Sequence, residues 1–150
     1  MIIRIHCANA LKYYPPNEIH TSLIEGKVRS IPRILLIINY WNLLDSLAEF
    51  LTQHGFFVYG VSSAGLALEV LQCAKFDLVI CDNYPPDIRG LEMCHQIRQF
   101  YPDIKFILMS GFEDTPPLSE AQKEGIAHIF RKPLNLDEIL STLTHLTSSN

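Results

Sequence analysis

The sequence predicts an α/β fold in which helices cover both faces of a parallel sheet. Short apolar runs of strand length alternate with segments of helical periodicity, and polar residues follow the ends of several runs. Continuous apolar runs are typical of strands buried on both faces, whereas strands with one face in water alternate in polarity. The alternation of strand and helix begins at Arg33 and continues to Leu146.

Five strands and five helices are predicted. The strands come from apolar runs at residues 34–38, 56–61, 78–82, 104–110 and 126–130. The helices come from apolar residues that recur at helical spacing over residues 43–51, 67–74, 91–101, 117–124 and 136–146. The fourth of these helices is short and only weakly apolar.

Turn and cap residues support these boundaries. Gly55 and Gly125 stand where two helices end, and glycine most readily takes the left-handed conformation that follows a helix. Asn135 and Glu138 are three residues apart and resemble a capping box at the start of the last helix.

Five strands joined by helices imply right-handed crossovers, and the flavodoxin-like strand order 2-1-3-4-5 fits this count. In that order the carboxyl ends of strands one, three, four and five lie side by side, which would bring Asn39, Asp82, Ser110 and Lys132 together. Each of these residues alone would be an ordinary strand-end residue. Because ligands bind at this edge of open parallel sheets, their convergence predicts the functional site.

Length and composition predict one globular domain over residues 31–150. The chain has 150 residues, of which 48% are hydrophobic and 19% are charged, which is enough for a single core. Residues 1–30 form a separate extension that we expect to be loosely ordered, because its double proline stops the short strand that residues 3–7 could form. A docked arm or a dimer contact is the alternative for this extension.

Charge and hydropathy exclude several classes of function. The net charge is −4 and the 12 basic residues are scattered, which argues against nucleic-acid binding. No apolar stretch is long enough to span a membrane and no signal peptide is evident, so we expect a cytoplasmic protein. The four cysteines show no C-x-x-C spacing, and we expect them to be reduced residues without a metal or disulfide role.

The chain resembles the receiver domain of bacterial two-component response regulators over residues 33–146. The residues that carry the resemblance are Asp82 at the end of strand three with Pro86 and Gly90 after it, Ser110 at the end of strand four, and Lys132 and Pro133 after strand five.

The resemblance implies a phosphorelay role for three of these residues. Asp82 would accept a phosphoryl group from a phosphohistidine, Ser110 would hydrogen-bond a phosphoryl oxygen, and Lys132 would neutralise its charge. These roles agree with the chemistry, because an aspartyl nucleophile needs cations and donors already in place. The resemblance also implies a cis peptide before Pro133. We expect no enzyme activity beyond self-phosphorylation and dephosphorylation at Asp82.

The predicted metal site departs from the family pattern. The family holds Mg²⁺ with a pair of acidic residues at the end of strand one, and this chain has Ile38 and Asn39 there. Mg²⁺ is often held by only one or two carboxylates, so Asp82, the Asn39 amide and the Tyr84 backbone carbonyl could still form a site. We expect Mg²⁺ binding to be weak or absent, and Lys132 to pair with Asp82 at rest.

The predicted switch also departs from the family pattern, in which an aromatic residue lies three residues before the lysine. This chain has Ile129 there, and strand alternation would point the adjacent Phe130 to the other face unless a local bulge exchanges the two. We expect Ser110 to act with this strand in the switch.

The output surface is predicted over residues 117–140. Its exposed candidates are Glu120, Lys123, Glu124, His128 and Arg131.

Three functions are compatible with the sequence. The chain could be a phosphoacceptor in a phosphorelay, a pseudo-receiver that binds a partner independently of phosphorylation, or a small-ligand binder of the flavodoxin type. The third is disfavoured because no glycine-rich phosphate loop follows strand one. The expected partners are a sensor histidine kinase or phosphotransfer protein, a downstream protein target and a second copy in a homodimer. With no output domain after residue 146, we expect a stand-alone receiver or a fragment of a longer regulator.

Overall fold

The protein is described by a computed structural model that covers residues 21–24, 27–83, 88–111 and 116–148. Within these ranges the strands are β1 (Thr21–Ile24), β2 (Lys27–Ser30), β3 (Arg33–Ile37), β4 (Phe57–Val61), β5 (Leu78–Asp82), β6 (Lys105–Ser110) and β7 (Ile126–Arg131). The helices are α1 (Trp41–Gln53), α2 (Ala64–Cys73), α3 (Gly90–Phe100), α4 (Leu118–Lys123) and α5 (Leu136–Ser148).

Strands β3 to β7 form one parallel sheet in the order β4-β3-β5-β6-β7. This is the predicted order 2-1-3-4-5, and the prediction of a flavodoxin-like α/β fold is confirmed. In the register of the sheet, Ile37 lies opposite Cys81 and Asp82 lies opposite Met109. The carboxyl ends of β3, β5 and β6 therefore meet at one edge.

Two apolar cores lie on the two faces of the sheet. One core joins alternate strand residues such as Leu35 and Val79 to α2, α3 and α4, and the other joins Leu36 and Ile80 to α1 and α5. The central strand residues are fully buried, which explains why the strands read as continuous apolar runs. At about 25 cal/mol per Å² of apolar surface, these cores provide the main stabilisation of the fold.

The predicted caps are present. Gly55 and Gly125 follow α1 and α4 with φ angles of 90° and 92°, which a residue with a side chain rarely adopts. The side chain of Asn135 accepts a hydrogen bond from the backbone N–H of Glu138 at 3.1 Å. The start of α5 therefore has the predicted N-cap.

The strands β1 and β2 form an antiparallel hairpin that the sequence did not predict. Thr21 lies opposite Ser30, and Ile24 lies opposite Lys27. The hairpin falls inside the segment that we expected to be loosely ordered. The strand predicted at residues 3–7 lies outside the described residues, as does Cys7.

Among the cysteines that the structure describes, the expectation of reduced thiols is wrong at Cys73. Cys73 is disulfide-bonded, whereas Cys81 and Cys94 are buried thiols. In the described ranges, every helix is too short or too polar to cross a membrane.

Candidate functional site

The predicted pairing of Asp82 and Lys132 is present at the carboxyl edge of the sheet. Asp82 ends β5, and its Oδ2 lies 3.0 Å from Lys132 Nζ. The Asp82 side chain is 15% exposed and the Lys132 side chain 37%, so the carboxylate is the more buried partner. The backbone N–H of Lys132 donates to the carbonyl oxygen of Ser110 at 2.9 Å, and the Lys132–Pro133 peptide is cis as expected.

The hydroxyl of Ser110 is fully buried at the end of β6. It donates to the carbonyl oxygen of Gly111 at 3.3 Å and accepts from Asn83 Nδ2 at 3.4 Å. The hydroxyl that was predicted to face a phosphoryl group therefore lies at the end of β6, the strand that pairs with β5 at Asp82. In this state the hydroxyl proton is directed to Gly111.

Asn83 is a buried residue of the site that sequence reasoning missed. Its side chain contacts Ser110, its backbone N–H donates to Met109 at 2.8 Å, and its carbonyl accepts from Gly90 at 3.0 Å. The signal that could have found it is a polar amide directly after an apolar strand, at a position where the chain turns.

Gly90 begins α3 in close contact with the end of β5. A Cβ atom there would lie 2.4 Å from Leu108 Cδ1 and 3.1 Å from both the Asn83 Cα and the Asp82 carbonyl oxygen. Glycine fits this position because the start of α3 passes too close to the end of β5 to leave room for a Cβ atom.

Only some residues of the predicted Mg²⁺ site lie within the part of the chain that the structure describes. Ile38 is fully buried in the core beneath α1 and α5, where it offers no ligand, whereas Asn39 is exposed at the end of β3. Tyr84 lies outside the described residues. Among the residues that the structure covers, no group of three or more acidic, histidine or cysteine side chains could hold a metal ion. Asp82 and Asn39 are the side-chain oxygen donors that the predicted Mg²⁺ site retains.

Strand β7 contains a bulge, but the bulge does not bring Phe130 beside Ser110. Ile126 pairs with Phe106 and His128 with Ile107, so Ala127 is the extra residue. Beyond the bulge, Ile129 packs in the core with α2, α3 and α4, while Phe130 packs in the core with α1 and α5. The alternation predicted for Ile129 and Phe130 is therefore present, and the exchange of the two by a bulge is not.

The predicted output residues differ in exposure. Glu120, Lys123, Glu124 and Arg131 are exposed, as expected. His128 is only half exposed, because its Nε2 lies 3.1 Å from Glu138 Oε1 on α5 and its ring packs edge-on against Phe130.

Cys94 lies beneath the turn between α4 and β7. Its Sγ lies 3.6 Å from the carbonyl oxygen of Glu124. The pKa of the Cys94 thiol is raised to about 11, mainly because the thiol is buried; Arg98 opposes this rise and Glu124 adds to it. The thiol is therefore protonated and unreactive at neutral pH.

The chain is similar to several known signalling proteins. The curated relatives include the transcriptional regulatory protein CitT of Bacillus subtilis (strain 168), 32% identical over 90 residues, which are 59% of this chain and 40% of CitT. Another is sporulation initiation phosphotransferase F of the same strain, 23% identical over 107 residues, which are 71% of this chain and 86% of that protein. This chain spans less than half the length of CitT.

Solved structures and family models place the chain in one family. A receiver domain of an HD domain-containing protein from Pseudomonas fluorescens Pf-5 superposes with a TM-score of 0.73 and 28% identity, covering 79% of this chain and 95% of that one. The model of the response regulator receiver domain matches residues 34–144, which include Asp82, Ser110 and Lys132. The chain belongs to the response regulator receiver domain family of two-component systems.

Proposed function

We propose that this receiver domain accepts a phosphoryl group on Asp82. The observation that carries the proposal is the 3.0 Å contact between Asp82 Oδ2 and Lys132 Nζ, at the sheet edge where the backbone of Lys132 also contacts Ser110. A carboxylate held beside an ammonium group and near a buried hydroxyl has the cation and the donor that a phosphoryl group requires.

The proposed donor is a phosphohistidine on a sensor histidine kinase or a phosphotransfer protein. A carboxylate oxygen of Asp82 attacks phosphorus, the bond between phosphorus and the imidazole nitrogen breaks, and the imidazole leaves with the electron pair. Lys132 keeps its proton and neutralises the acyl phosphate, and Ser110 donates a hydrogen bond to a phosphoryl oxygen. The chain itself acts on no other substrate, and later hydrolysis at Asp82 returns it to the resting state.

Receiver domains typically bind Mg²⁺. In this chain Asp82, Asn39 and the Tyr84 carbonyl would hold the ion, and its charge would neutralise phosphoryl oxygens during transfer. Asp82 is the one carboxylate of this set and Asn39 a neutral amide, so the expected affinity is low. Lys132 then carries more of the charge neutralisation than it would beside an acidic pair.

The proposed output surface spans residues 117–140 and contacts a downstream protein or a second copy of the chain. Its exposed charges include Glu120, Lys123 and Arg131. We place this function in the cytoplasm.

Incubation with phosphoramidate, with and without Mg²⁺, tests the proposal by intact mass. Wild type is expected to gain the mass of one phosphoryl group, and Asp82→Asn is expected to gain none. Asp103→Asn is the matched control, because Asp103 is exposed at the opposite end of the sheet, before β6. An adduct that persists in Asp82→Asn, or no adduct in wild type, would contradict the proposal.

A further inference from the structure

The structure joins Asn83 to Ser110 through a buried hydrogen bond. Asn83 is 7% exposed and Ser110 is fully buried. Asn83 Nδ2 donates to Ser110 Oγ at 3.4 Å. We propose that Asn83 is a positioning residue that holds the Ser110 hydroxyl in its resting orientation and releases it when Asp82 is phosphorylated. This inference rests on the proposed function.

The backbone of Asn83 is fixed on both sides. Its N–H donates to Met109 on β6 at 2.8 Å, and its carbonyl accepts from Gly90 at the start of α3 at 3.0 Å. Because Asp82 pairs with Met109, Asn83 follows opposite Ser110 at the end of the neighbouring strand. The amide therefore reaches the hydroxyl from a main-chain position that has little freedom to move.

The direction of the two hydrogen bonds determines where the hydroxyl proton points. A serine hydroxyl has one proton, and here it is donated to the carbonyl oxygen of Gly111 at 3.3 Å. The Nδ2 group of an asparagine is only a donor, so it occupies a lone pair of Ser110 Oγ. Because the amide donates to Oγ, the hydroxyl proton points away from Asn83, and in this state it is donated to Gly111 and is not available to a ligand.

A phosphoryl group on Asp82 needs the opposite arrangement. Ser110 must donate its proton to a phosphoryl oxygen, so the bond to Gly111 breaks and the hydroxyl turns away from Asn83. The bond between Asn83 and Ser110 is longer than the usual 2.9–3.0 Å of an N–H···O bond, so its loss costs little. Asn83 therefore lowers the affinity for a phosphoryl group by a small factor.

Beryllofluoride, which mimics a phosphoryl group, provides the test when titrated at saturating Mg²⁺ and followed by calorimetry. Asn83→Leu keeps a branched side chain of similar size but removes the donor. In the wild-type background it is expected to raise beryllofluoride affinity roughly two- to fivefold, a range that a single net hydrogen bond supports. In a Ser110→Ala background the same substitution is expected to change nothing. Gln99→Leu is the matched control, since Gln99 is an exposed amide on α3 that contacts His95.

Several outcomes would overturn the inference. An equal effect of Asn83→Leu in both backgrounds, or no gain in affinity beside intact Ser110, would show that Asn83 does not act through the hydroxyl. If Asn83→Leu does not fold, exchange of the Asn83 side-chain amide protons decides the question. This exchange should be faster in Ser110→Ala than in wild type, and equal rates would contradict the bond. Failure of wild type to bind beryllofluoride would instead refute the proposed function, and this inference with it.

Discussion

Ile129 lies on the same face of the sheet as Ser110, because Ile129 pairs with Leu108, two residues before Ser110 on β6. Phe130 fills the opposite core beside α1 and α5 and is almost fully buried there. On the Ser110 face of β7, the position three residues before Lys132 therefore holds an aliphatic side chain, where the family pattern has an aromatic ring. A ligand shifts a conformational equilibrium only by its differential affinity for the two states, and the two packings of an isoleucine should differ little.

We predict a shallow switch on the surface over residues 117–140. Partner or self-association affinity should differ by less than about tenfold, about 1.4 kcal/mol, between wild type with beryllofluoride and Asp82→Asn. Amide hydrogen exchange over residues 116–131 measures the same effect directly, and we expect small changes in protection. Large changes in wild type that Asp82→Asn lacks would show that a full switch survives with Ile129 in place.

Mg²⁺ should bind weakly and should bind more tightly after Asn39→Asp, because a carboxylate replaces a neutral amide at the edge of the site. The measurement is the fluorescence of Trp41, which is 64% exposed two residues beyond Asn39. Asn42→Asp is the matched control, since it adds the same charge to an exposed residue of α1. Saturation of wild type below millimolar Mg²⁺ would contradict the prediction.

Lys132→Met should destabilise the fold more than Asp82→Asn does. Removing the lysine leaves a carboxylate that is only 15% exposed, whereas removing the charge of Asp82 leaves an ammonium group that is 37% exposed and can turn to water. We expect a loss of about 1 kcal/mol in the free energy of unfolding for Lys132→Met and a near-zero change for Asp82→Asn. Urea denaturation measures both, and the reverse order would contradict the argument.

Gly90→Ala should lower the free energy of unfolding by about 1–3 kcal/mol, the usual cost of overpacking. The new Cβ would lie 2.4 Å from Cδ1 of the fully buried Leu108 and 3.1 Å from backbone atoms of Asn83 and Asp82, so the Leu108 side chain would have to shift within the core. Gly111→Ala is the matched control, because no atom of the described residues lies within 4 Å of its Cβ position. Equal stability of the two variants would show that the start of α3 adjusts more easily than its contacts indicate.

Thiol labelling should distinguish three of the cysteines. In the native protein at pH 8, Cys81 and Cys94 should resist alkylation because both are buried, and the raised pKa of Cys94, about 11, keeps its thiol protonated. In denaturant without reductant, both should label while Cys73 stays protected by its disulfide. Peptide mass mapping reads each position, and labelling of Cys73 without reductant would contradict the disulfide.

The raised pKa of Cys94 predicts that the free energy of unfolding falls at high pH. The Cys94 pKa in the fold lies above its ordinary value near 9, so the folded state binds more protons between these two values. The contribution of the buried, protonated thiol to the free energy of unfolding is therefore complete below about pH 9 and is lost as the pH rises through about 11. Wild type should lose more unfolding free energy over this interval than Cys94→Ala.

The sheet and the main site residues were predictable because their signals are local. The core strands are buried on both faces and read as apolar runs, and Asp82, Ser110 and Lys132 each stand at the end of a run. Asn83 was not predictable as a partner of Ser110, since 27 residues separate them and only the strand register brings the two together.

Other features were missed because their patterns are weak or depend on contacts. The hairpin of β1 and β2 has strands of only four residues, too short to give a clear alternation. The position of the bulge in β7 depends on the pairing with β6, which the sequence of β7 alone does not contain. Spacing in the sequence likewise gave no sign of the Cys73 disulfide.

Because of the bulge at Ala127, the face of the sheet that a residue of β7 occupies cannot be found by counting every second residue along the whole strand. Ile126 and Ile129 are an odd number of residues apart, yet they face the same core, because the extra residue lies between them. If this chain is aligned with a relative whose strand is regular, starting from Lys132, the residues from Arg131 to His128 are assigned to the correct face of the sheet. Ile126 is assigned to the correct face only if a one-residue gap is placed at Ala127. Without that gap, a substitution copied from the relative to this end of the strand would enter the wrong core.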